Sequence, residues 1–252
     1  MLSYPMDFSY EKPSHIFALL LLFISIFFVF VLPITTFILF YGTDYIDEIN
    51  ISEISAILSQ IIVIAVFILV PFAWYYLVNR LGIKGILKRI KLVSENIDKA
   101  FLWGILAAVL IFFIIFVIEV ALINIGHDPE DLSNIPNIQK LFSPAVMFLL
   151  VAVQPIGEEI FFRGFLYEKI EGFAGPAVSI ILTSFLFGIA HMSYAKWFPV
   201  VMPILMGIVL GYIVYKTNNL YSAIIAHITF NLTSLTLAYL GQELLREASL
   251  IL

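Results

Sequence analysis

Ala100–Ile125 reads AFLWGILAAVLIFFIIFVIEVALINI, and Glu119 is its one ionisable side chain. Roughly 20 predominantly apolar residues let a helix cross the hydrocarbon of a bilayer. A helix that is apolar on every side has no face to give to water. The stretch is therefore read as a membrane span. Outward from it, six more apolar stretches appear: Ile16–Tyr41 and Ile54–Asn79 before it, then Pro144–Ile170, Pro176–Tyr194, Trp197–Tyr215 and Leu220–Leu240 after it. Ile16–Tyr41 and Pro144–Ile170 are long enough to tilt or to run past the hydrocarbon; a further break in one of them would make an eighth span. Ile16–Tyr41 is too long for a signal-peptide core and has no small-residue cleavage site, so it counts as a span.

Composition agrees with this reading. The 252 residues are 62% hydrophobic and 12% charged, with a mean hydropathy of +1.05. Soluble domains are roughly 45–50% apolar and about 25% charged. In water this chain would expose large apolar patches, which excludes a soluble enzyme. The expected fold is all-α, a polytopic transmembrane helical bundle of seven or eight spans. Residues 1–252 are expected to form a single membrane-embedded domain. The absence of cysteine rules out disulfides and thiolate chemistry. A net charge of -5 gives no footing for nucleic acid.

Charges in the loops set an expected orientation. Arg80, Lys84, Lys88, Arg89, Lys91 and Lys99 fall between the second and third spans, so residues 80–99 are read as a basic cytoplasmic loop. The N-terminus is then cytoplasmic too. Asp44, Asp47, Glu48, Glu53, Asp128, Glu130 and Asp131 fall on the outer side. Ile83, Ile86, Leu87 and Ile90 follow helical spacing, as in an interfacial segment drawn to anionic lipid. A solvated charged linker is the plainer alternative.

Ionisable groups inside spans are costly and usually face a bundle interior. Six are found: Glu119, Glu158, Glu159, Arg163, His191 and His227. Glu159 and Arg163 are four apart, in the favourable order for a helical pair, and are read as structural partners. Glu158 points elsewhere, with Gln154 and Phe162 four positions away. Burial in hydrocarbon favours the protonated carboxyl, a property that general acid–base catalysis exploits. His227 and Asn231 are four apart and share a helix face. By helical rise, Glu158, His191 and His227 lie roughly 15–18, 22 and 11–13 Å from the cytoplasmic ends of their spans. They are expected to enclose one polar cavity opening to the cytoplasmic side. Glu119 is expected to snorkel to the outer interface. His15 and His127 are expected to be solvated.

The familiar nucleophiles and metal motifs are missing. The chain has no His-Glu-x-x-His and no Gly-x-Ser-x-Gly, and its aspartates all lie in loops or tails. Water activated by a carboxylate or imidazole remains. Glu158-Glu159-x-x-x-Arg163, Phe187-x-x-x-His191 and His227-x-x-x-Asn231 resemble the three motifs of the CPBP family. That family holds the CAAX prenyl endopeptidases of the Ras-converting type and their bacteriocin-processing or immunity relatives. The resemblance covers about Pro144–Tyr239, so residues 144–240 are taken as the motif-bearing core.

The resemblance implies removal of a C-terminal tripeptide from a prenylated protein or peptide in the lipid. It implies that Glu158 and His191 activate water and that His227 and Asn231 stabilise the oxyanion, with Glu159 and Arg163 in support. Family members are often labelled metalloproteases, and Glu158, His191 and His227 are the zinc ligands available; a metal-free mechanism is the preferred expectation. Two other readings stand beside it: a relative that processes unprenylated peptides or gives bacteriocin immunity, and a proton-coupled transporter.

Overall fold

The computed structural model describes residues 8–41 and 51–251. Asp44, Asp47 and Glu48, used in the orientation reading, lie outside the described residues. Among the described residues the fold is helical, without strands. The helices are α1 (Pro13–Phe40), α2 (Glu53–Leu77), α3 (Ile83–Arg89), α4 (Ile97–Asn124), α5 (Ile135–Leu141), α6 (Pro144–Glu159), α7 (Tyr167–Ala190), α8 (Phe198–Thr217) and α9 (Tyr221–Ile251). A π-helical segment, Ile160–Leu166, joins α6 to α7 without a break.

Six continuous helical stretches are long and apolar enough to cross a membrane. The longest, Pro144–Tyr194, has 51 residues. At 1.5 Å per residue it would measure roughly 75 Å, more than twice the hydrocarbon thickness. It turns back inside α7, at Gly175, where φ is 77° and ψ 171°. That backbone region is open essentially to glycine alone. Pro176 favours the extended ψ of the residue before it and then opens the next helix, where no N–H partner is needed. The reversal brings the Phe187 ring within 5.0 Å of Phe162. The six stretches therefore make seven passes, bounded close to where hydropathy places them.

Packing fixes how the passes face one another. A Cβ on Gly104 of α4 would come within 2.9 Å of Ile225 and of the Ser222 carbonyl oxygen in α9. Further along the same two helices, Phe112 and Phe230 lie 6.5 Å apart. Both positions advance together, so α4 and α9 run in the same direction. Asn219 links the α8–α9 turn to the basic loop: its Nδ2 donates to the carbonyls of Val93 (2.9 Å) and Glu95 (3.0 Å).

At the basic end, α3 forms where the spacing predicts. Its apolar side does not lie free on lipid, however. Ile86 and Ile90 are buried, and only Ile83 stays exposed. Arg89 donates to Glu168 from Nε (2.9 Å) and Nη2 (2.6 Å), and the Tyr75 hydroxyl donates to the same carboxylate (3.0 Å). Lys91 sits over the Tyr167 ring at 5.0 Å, and burial draws its ammonium pKa below the usual lysine range. His15 corrects an expectation. It is buried, and its Nδ1 accepts from the Ser9 backbone N–H at 3.0 Å. The chain before α1 folds over it, which hydropathy does not reveal. His127 is exposed, as expected.

Candidate active site

The site begins at the junction of α6 with the π-helical segment. Glu158 and Glu159 end α6, and Arg163 lies within Ile160–Leu166. All three are buried. Arg163 Nη1 donates to Glu159 Oε1 at 2.9 Å, the helical pair expected from the four-residue spacing. The guanidinium also lies 4.3 Å from the centre of the Phe187 ring. Gly207 of α8 leaves room for it, since a Cβ there would stand 2.9 Å from Arg163 Nη2. Burying this cation thus uses a carboxylate, an aromatic face and a missing side chain.

His227 of α9 joins the two glutamates. Its Nδ1 lies 2.9 Å from Glu159 Oε1, and its Nε2 lies 3.7 Å from Glu158 Oε2. Neighbouring positions on a helix diverge by about 100°, so the glutamates were expected to serve separate surroundings. The imidazole reconciles them by presenting one ring nitrogen to each. Glu159 is therefore more than the partner of Arg163, because it also fixes the ring of His227. Gln154 Nε2 donates to Glu158 Oε1 at 2.7 Å. This bond runs one turn along α6 and was legible as a four-residue spacing.

His191 closes α7. Its Nδ1 is 2.7 Å from the Phe187 carbonyl oxygen. A carbonyl can only accept, so the hydrogen-bond pattern assigns the proton to Nδ1 and leaves Nε2 free as an acceptor. Asn231 lies one turn beyond His227 and makes no hydrogen bond among the described residues.

Glu158, His191, His227 and Asn231 all line one cavity of about 680 Å³. The rest of its wall is mostly apolar, with Phe112 and Phe116 on α4, Met202 and Met206 on α8, and Phe230 on α9. Glu119, expected to snorkel to the outer interface, lines this cavity and is half-buried. The cavity also does not run to the basic loop. Its far wall is built from Pro129, Leu132–Ile135, Ile138, Leu141 and Phe142, at the opposite end of the bundle, and no residue of 78–97 lines it. Below the glutamates, Phe161, Phe162, Phe165, Ile90 and Leu220 form a buried apolar floor. The basic loop and the far wall of the cavity thus lie at opposite ends of the bundle.

Among the described residues no group of three His, Cys, Asp or Glu is disposed to hold a metal ion. His227 presents Nδ1 to Glu159 and His191 presents Nδ1 to a carbonyl, so in each ring Nε2 is the nitrogen outside those contacts.

What the arrangement offers is a carboxylate and a free imidazole nitrogen beside an amide donor, at the bottom of an apolar cavity. Residues 140–233 match the family model described as type II CAAX prenyl endopeptidase Rce1-like. All four of these side chains fall inside the matched region. Comparison with curated proteins and with solved structures returned no match.

Proposed function

From the match of residues 140–233 to the family model of type II CAAX prenyl endopeptidases, we propose that the chain is an intramembrane protease of that family, an endopeptidase that removes the C-terminal tripeptide from prenylated CAAX-type proteins. The observation that carries the reading is the convergence of Glu158, His191, His227 and Asn231 on one largely apolar cavity. A lipid-linked peptide needs both parts of it: an apolar wall for the chain and a polar floor for the bond.

In the proposed reaction, Glu158 takes a proton from a water molecule, and the free Nε2 of His191 accepts the water's second hydrogen bond. Gln154 holds the other oxygen of the carboxylate and keeps it facing the cavity. The water oxygen bonds to the scissile carbonyl carbon. Asn231 and His227 donate to the oxyanion that forms. In that role the imidazole carries both protons, Nδ1–H to Glu159 and Nε2–H to the oxyanion. The carbon–nitrogen bond then breaks, and the proton held by Glu158 passes to the leaving amine. No step passes through a metal.

Glu158→Ala and His191→Ala are each expected to abolish cleavage of a farnesylated reporter peptide while the protein still inserts. Asn231→Ala should lower kcat by about 10²–10³, the usual effect of losing one oxyanion donor. A chelator should leave turnover unchanged. Retained turnover in Glu158→Ala or in His191→Ala would overturn the assignment. Equal cleavage of the unprenylated peptide would move it to the relatives that process unmodified peptides.

A further inference from the structure

Glu119 has no role in the reaction proposed above, yet it faces the same cavity. No hydrogen bond or ion pair reaches it among the described residues. The cavity wall holds two carboxylates, Glu119 and Glu158, and none of its lining residues is a lysine or arginine. A carboxylate in such a place is costly unless something cationic or donating meets it. Among the described residues nothing does.

Its position can be measured along the bundle. α4 and α9 run the same way, with Phe112 beside Phe230. Glu119 lies seven positions beyond Phe112, and His227 lies three before Phe230. At 1.5 Å per residue the two are separated by roughly 15 Å along the axis. An extended peptide covers that distance in about four or five residues. A substrate held at Glu158 and running towards the cavity's far wall therefore passes Glu119.

We infer that Glu119 forms a subsite for a lysine or arginine side chain of the substrate, a few residues from the bond that is cut. This rests on the reading of the cavity as a peptide site. It adds a charge preference: a basic residue at that place is attracted, and an acidic one is repelled.

The test uses the purified full chain in detergent and fluorescent farnesylated peptides. The peptides differ only in carrying Lys or Glu at a single position, which is scanned over the six residues before the prenylated cysteine and the three after the cut. Anisotropy reads binding without requiring turnover. At one position the wild type is expected to bind the Lys peptide at least tenfold tighter than the Glu peptide. In Glu119→Gln that ratio should fall to within twofold, and Glu119→Lys should invert it. An unchanged ratio in Glu119→Gln overturns the subsite, as does a wild type that binds no peptide. Turnover measured in parallel separates the two readings. Binding with charge preference but without cleavage removes the hydrolase and keeps the subsite. Cleavage without charge preference removes the subsite and keeps the hydrolase.

Discussion

Glu159 carries two obligations on one oxygen: Oε1 takes both the Arg163 bond and the His227 bond, each at 2.9 Å. Only the first was readable in the sequence, because it repeats the helical period within one element. The second joins positions 68 apart in the chain, and no spacing rule reaches that far. Separating a buried pair leaves an uncompensated charge, at a cost of about 3–5 kcal/mol. Arg163→Met should do this to Glu159 and lower the thermal midpoint in detergent by on the order of 10 °C. Glu159→Gln should lower it too, and should also reduce turnover by loosening His227. Wild-type midpoints in both variants would show that the pair holds nothing together. A midpoint that falls while turnover per folded molecule stays constant in Glu159→Gln would remove its part in placing the imidazole.

At the scale of elements, hydropathy located the passes well because each must be apolar over most of its length. It separated the fourth and fifth at Gly175-Pro176, and the backbone there shows why those residue types were needed. Two neighbouring glycines make the point testable. Neither Gly172 nor Gly175 would bring a Cβ within 4 Å of another group, but only Gly175 has positive φ. Gly175→Ala should therefore destabilise through backbone strain alone, by about 1–3 kcal/mol. Gly172→Ala sits in ordinary helix and should be neutral or stabilising by up to about 1 kcal/mol. Thermal melts of the two variants side by side decide it; equal midpoints would mean that the reversal does not depend on the glycine conformation. Element-scale reading was weaker for α3. Its amphipathic spacing was clear, but spacing cannot say whether lipid or protein covers the apolar side. Ile86 and Ile90 are covered by protein.

For the whole molecule, the largest gap between sequence and structure concerns direction. Depth along each span brought Glu158 and His227 to matching levels, and the structure does bring them together. Which way their cavity leads depends on the helix faces that are turned inward, and a linear count of apolar residues does not contain that. The cavity runs from Glu158 towards Pro129–Phe142, while Arg80, Lys84, Lys88 and Arg89 gather at the other end of the bundle. If the basic loop follows the positive-inside rule, the end of the cavity lined by Pro129–Phe142 lies on the side away from the cytoplasm. A chain without cysteine allows a clean measurement. His127 and Lys84 are both exposed, at opposite ends of the bundle, so His127→Cys and Lys84→Cys each introduce the only thiol. A membrane-impermeant maleimide applied to intact cells should label His127→Cys and spare Lys84→Cys until the membrane is permeabilised. Labelling of Lys84→Cys in intact cells, with His127→Cys protected, would reverse the orientation. The substrate's peptide would then reach Glu158 from the cytoplasm, and the loop basicity would have to answer to the ion pairs of Arg89 with Glu168 and of Lys91 with Glu171 (4.0 Å) rather than to topology.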